Sequence, residues 1–185
     1  MGRMKKLSVL LVLEAVCTFY FLPLQAMTPC GPSGEISSLQ ESENADGQIF
    51  GKDLPEEDLR MDGIGLRDTF ASVMRKKGRP DLFESVHGLY GYRMDYQGIR
   101  LYTLDAGVIK HVDLIDTEEK GYSTAKGISV GDRLKKVWEA YGKPDNVLSG
   151  RWFYGKGIRG SGMMRGIVFY HDGERVTGIS ITNGE

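Results

Sequence analysis

The sequence predicts an α+β fold of two tandem helix-plus-three-strand antiparallel repeats, joined in one curved sheet with the helices on one face. Three observations lead there: an internal repeat, a helix bounded at both ends in each copy, and three runs of strand character after each helix. The repeat comes first. Residues 63–81, which read GIGLRDTFASVMRKKGRPD, return ungapped 64 positions later as GISVGDRLKKVWEAYGKPD at 127–145. Identities fall at Gly63/Gly127, Ile64/Ile128, Asp68/Asp132, Val73/Val137, Gly78/Gly142, Pro80/Pro144 and Asp81/Asp145. Most are positions where backbone geometry or packing restricts the residue, as in a duplicated structural unit.

Each copy carries its own helix signals. Asp68 and Asp132 stand where an N-cap belongs, with a carboxylate able to accept first-turn N–H groups. Leu134, Val137, Trp138 and Tyr141 follow at i, i+3, i+4 and i+7, a stripe expected to face the core. The first copy keeps Phe70, Val73 and Met74 but has Lys77 at the fourth place. Gly78 and Gly142 fit a left-handed C′ residue, and Pro80 and Pro144 forbid continuation.

Strand character follows near 86–93, 98–104 and 108–115, and again near 148–154, 163–171 and 175–182. Asp172-Gly173 is a tight hairpin signal, with Asp105-Ala106-Gly107 as a looser counterpart. The glycines of 155–162 read as a strand connection. Gly160-Ser161-Gly162 lacks the preceding strand and following helix of a phosphate loop.

The N-terminal part differs. Arg3, Lys5 and Lys6 precede an apolar run over 7–24 that ends in Gln25-Ala26, the form of a secretory signal peptide occupying 1–26. An uncleaved membrane anchor is the alternative, disfavoured by Glu14 and Pro23 within the run. Residues 27–58 read as an acidic flexible linker, poor in apolar residues and carrying Glu41, Glu43, Asp46, Asp53, Glu56, Glu57 and Asp58. The folded part is expected from Leu59 on, as unit 59–122 and unit 123–185.

Removing 1–26 leaves 21 Lys+Arg against 24 Asp+Glu, a net charge of −3 with no general pull toward nucleic acid or anionic membrane. Cys17 lies in the signal and Cys30 stands alone, so no disulfide framework is implied. Pro29 before Cys30 does not suit a lipidation site, leaving membrane association only through an uncleaved signal or an atypical lipid anchor. His87, His111 and His171 are each isolated, with no second ligand at helical or hairpin spacing. No catalytic residues, metal ligands or cofactor site are therefore assigned. Arg75-Lys76-Lys77 and Arg79 make a basic end to the first helix, which the helix dipole favours.

Tyr90 and Tyr92, and Trp152 and Tyr154, share a strand face within each pair by period two. If that face packs under the helices they are core; if it is open they form a partner-binding surface.

The run Gly127-Ile128-Ser129-Val130-Gly131-Asp132, with Val137, Tyr141-Gly142-Lys143-Pro144-Asp145, Trp152-Phe153-Tyr154, Ile167-Val168-Phe169-Tyr170 and Asp172-Gly173-Glu174-Arg175-Val176, resembles the small outer-membrane lipoprotein A superfamily. That superfamily includes tandem β-lactamase inhibitory proteins. Thr124-Ala125-Lys126 before Gly127 brings the chain nearer to secreted bacterial proteins with a Lys-Gly-Ile-x-Val-Gly-Asp motif. The resemblance implies a non-catalytic module that binds another protein outside the cytoplasm, in the cell envelope or secreted. An enzyme inhibitor and a cell-envelope hydrolase are the competing expectations.

Overall fold

The computed structural model describes residues 46–86, 91–103 and 109–184. Its element order is β1 (Ile49–Gly51), β2 (Arg60–Met61), β3 (Ile64–Gly65), α1 (Phe70–Lys77), β4 (Leu82–Ser85), β5 (Tyr92–Tyr96), β6 (Ile99–Thr103), β7 (Leu114–Thr117), α2 (Leu134–Tyr141), β8 (Asn146–Leu148), β9 (Arg151–Ile158), β10 (Met164–His171) and β11 (Val176–Gly184).

Nine strands form one antiparallel sheet in the order β1-β9-β10-β11-β7-β6-β5-β4, with β8 also on β9; β2 and β3 form a second, two-stranded sheet. The large sheet is continuous because β11 pairs with β7, setting Ile179 against Thr117 and Ile181 against Ile115.

Strand alternation decides which face is covered. In β6, Ile99, Leu101 and Thr103 are buried while Arg100 and Tyr102 are only partly so. Across the sheet Met94, Leu101, Ile115, Ile181 and Ile167 join this inward set. Phe70 and Val73 of α1 and Val137 of α2 pack on it, with Leu59, Met61, Ile64 and Ile128 from the connecting segments. The opposite face is polar over its first half, where Arg93 pairs with Asp95 and Arg100 with Asp116 at 2.5 Å.

Four expectations are corrected. The α+β fold of tandem helix-plus-three-strand repeats gives way to a mostly β architecture: each helix has only eight residues, and strands carry the rest. The helices stop at Gly78 (φ 87°) and Gly142 (φ 80°), where a positive φ turns the chain out of the helix. Strands begin sooner after them than the runs near 86–93 and 148–154 predict, as β4 from Leu82 and β8 from Asn146.

The folded region also starts before Leu59. Ile49–Gly51 pairs with β9, and Leu54 and Asp58 are buried. Part of the expected linker is thereby built into the fold, although its polar sequence offers little period-two signal.

The helix caps are not Asp68 and Asp132. Thr69 is the N-cap of α1, its Oγ1 accepting the Ser72 N–H at 3.1 Å, and Arg133 starts α2 without a side-chain cap. The two aspartates instead close the preceding turns, accepting the N–H of Gly65 at 3.1 Å and of Ser129 at 2.8 Å. Each also pairs with a helix lysine, Asp68 with Lys76 at 3.0 Å and Asp132 with Lys136 at 2.7 Å.

Finally, Trp138 does not face the core: it is 49 % exposed, whereas Val137 is fully buried. Leu134 and Tyr141 are partly buried against the core beside Val137, and the stripe fades at Trp138.

Candidate functional site: aromatic patches at the ends of the sheet

Eight-residue helices cannot cover a nine-stranded sheet, so both ends of the inward face stay partly open. The residues left there are large and apolar.

At the β8 end, the register sets Val147 directly opposite Trp152, which places both side chains on the helix-bearing face. Val147 is 60 % exposed. Trp138 of α2 meets Trp152 edge to face, with ring centroids 6.1 Å apart. Behind Trp152 lies His171, 5.6 Å away between ring centroids. Its Nδ1 accepts the Gly173 N–H at 3.2 Å, which leaves the proton on Nε2; that nitrogen is buried without a protein partner.

At the β4 end, Phe83 is 47 % exposed. Its ring stacks on Tyr92 at 5.8 Å and meets Phe70 of α1 edge-on at 6.1 Å. The Lys110 ammonium sits 4.1 Å from the Tyr92 ring centroid, a cation–π contact. Met74 is exposed here as Trp138 is at the other end, and Phe83 as Val147 is. Both correspondences keep the 64-residue spacing of the sequence repeat.

The four aromatic residues read as either core or a partner-binding surface therefore divide between the two. Trp152 and Tyr92 are half-buried and lie in the two patches. Tyr154 is core: it is 2 % exposed, donates its hydroxyl to the Gly142 carbonyl at 2.9 Å, and packs between Tyr141 and Phe169. Burial pushes its phenol up, and the same cause pushes Tyr141 up to about 12. Tyr90 lies outside the described residues, as does His87. His111 is exposed with Nδ1 3.0 Å from the Arg67 carbonyl.

Sequence reasoning missed Trp138, Val147 and Phe83 as surface residues. No sequence signal separated Trp138 from Leu134, Val137 and Tyr141, which do pack in or against the core. Among the described residues, no group of three His, Cys, Asp or Glu side chains could hold a metal ion, and no helix is long and apolar enough to cross a membrane. Gly160 to Gly162 form the β9–β10 turn, where the Ser161 hydroxyl donates to the Ile158 carbonyl at 3.0 Å and accepts the Met163 N–H at 3.1 Å.

In comparison with known proteins, the chain matches no family model, no curated protein and no solved structure.

Proposed function

We propose that this chain is a non-catalytic protein-binding module that acts outside the cytoplasm, and that its end-of-sheet aromatic patches are the binding surfaces. The observation that carries the reading is the open Trp138–Trp152–Val147 cluster, in which two indoles and a valine stay accessible on a rigid strand-and-helix support. Trp and Tyr anchors on rigid elements supply most of the energy of protein recognition. The extracytoplasmic placement rests on the basic start, the apolar run over 7–24 and Ala26, and accords with the resemblance to the small outer-membrane lipoprotein A superfamily.

A photo-crosslinking amino acid at position 147, introduced in the native cells, tests the binding reading. A discrete crosslink to another polypeptide, lost on Trp138→Ser, is the expected result. Irradiation that yields only uncrosslinked chain would overturn it. Mass spectrometry of the same material should find a chain beginning at Met27; an intact segment 1–24 would refute export with cleavage.

A further inference from the structure

The patch at α2 has a feature that the β4 patch lacks: its charges are self-complementary. Lys135 and Glu139 lie along one side of Trp138 on the same helix, with 84 % and 62 % of their side chains exposed, and pair with each other at only 3.7 Å. Such a solvated i,i+4 pair contributes little where it stands, so both groups are available to another partner. A two-fold axis through the middle of α2 reverses the second helix. It brings Lys135 of one copy against Glu139 of the other, twice, while the two Trp138 side chains meet near the axis. The four-residue separation spans about 6 Å along a helix, which lets both ion pairs form on either side of one indole pair.

Around the β4 patch the helix end is of one sign. Arg75 and Arg79 are exposed and make no ion pair among the described residues, and Lys110 lies over Tyr92. A two-fold contact there would oppose like charges, so the same argument does not extend to it.

We infer that a second copy of this chain covers the α2 patch, with two α2 helices packed antiparallel through Trp138 and cross-paired through Lys135 and Glu139. This rests on the proposed role of the patch in binding protein. A contact made through one eight-residue helix suits a dimer that forms at high concentration and exchanges.

The test uses the chain's own fluorophores, because Trp138 and Trp152 are its only tryptophans and both lie in the patch. Protein beginning at Met27 is followed from about 1 µM to about 500 µM, a range suited to weak association. Sedimentation should shift from monomer to dimer while tryptophan emission moves to the blue. Trp138→Glu should abolish both shifts with an unchanged far-ultraviolet circular dichroism spectrum. Lys135→Glu alone and Glu139→Lys alone should each weaken association at least tenfold, and the double reversal should restore it. A chain that stays monomeric throughout, a dimer indifferent to Trp138→Glu, or single reversals that the double variant does not rescue would each overturn the inference. If the chain is monomeric but the position-147 crosslink captures a different protein, the dimer falls and the binding reading stands; if neither copy nor partner is captured, both fall.

Discussion

Trp138 on α2 and Trp152 on β9 meet edge to face at 6.1 Å, and this contact tethers the short helix to the last strands of the sheet. The geometry suits the indole quadrupole, whose positive edge meets a negative face. One ring is half in the fold and the other half out of it. The pair thus stabilises the helix modestly while keeping apolar surface accessible.

That arrangement predicts a small cost for Trp138→Ala. An edge-on aromatic pair contributes about 0.5–1.5 kcal/mol, and an exposed site leaves no cavity. Phe169→Ala should cost about 3–5 kcal/mol, because Phe169 is fully buried against Tyr141 and Tyr154. Urea unfolding of the two variants separates the cases; equal losses would mean that Trp138 is core.

Two glycine substitutions should differ for geometric reasons. At Gly142, φ is 80° but a Cβ would meet nothing within 4 Å, so Gly142→Ala should cost only the left-handed backbone penalty of about 1 kcal/mol. At Gly155 a Cβ would lie 2.2 Å from the Arg165 carbonyl oxygen and 2.7 Å from the Gly166 Cα. Both contacts are backbone on the neighbouring strand, so β9 and β10 would have to separate. Gly155→Ala should lose about 3 kcal/mol or more in thermal unfolding.

Tyr154 in the core and Tyr141 packed against it set an alkaline limit. Tyr141 is held protonated by burial up to about 12, against an ordinary value of 10.0, and Tyr154 moves the same way for the same reason. A raised folded pKa means stability that is complete below about 10 and lost as pH rises toward 12. Of the nine tyrosines, these two should ionise late in absorbance titration and together with unfolding. Tyr141→Phe should shift the alkaline unfolding midpoint upward; an unchanged midpoint would refute the assignment.

Much of this structure could be read from residues whose signals are local. Gly78 and Gly142 end their helices as their sequences require, and Asp172-Gly173 turns β10 into β11. What escaped were outcomes of tertiary competition. Asp68 prefers a turn N–H and Lys76 over the first turn of α1 because Thr69 is already placed to cap it. Ile49–Gly51, a short apolar run in a polar stretch, becomes a strand because β9 extends past the end of β8 and offers it a free edge. Trp138 reads as core by spacing, but spacing reports a face and not how far the helix covers it. The patches were half legible for the same reason: Trp152 and Tyr92 are visible as strand aromatics, whereas Phe83 and Val147 fall just before the runs near 86–93 and 148–154.

The turn aspartates give the acid limit. Burial pushes the Asp132 carboxyl up, but the Lys136 ammonium and the Ser129 N–H outweigh it and hold the group below the usual carboxylate range; Asp68 behaves alike with Gly65 and Lys76. A depressed folded pKa contributes stability that is complete above about 3.8 and lost as pH falls through the folded value. Asp132→Asn keeps the shape and can still accept the Ser129 N–H, but it removes the charge that pairs with Lys136 at 2.7 Å. The variant should therefore lose about 1 kcal/mol at neutral pH and unfold in acid with a shallower dependence on pH below about 4. Asp132→Ala should lose more, about 2 kcal/mol, since the Ser129 N–H is then left without its acceptor. Equal losses for the two variants would place the contribution in the charge alone, and no loss in either would remove Asp132 from the account of how α2 is held.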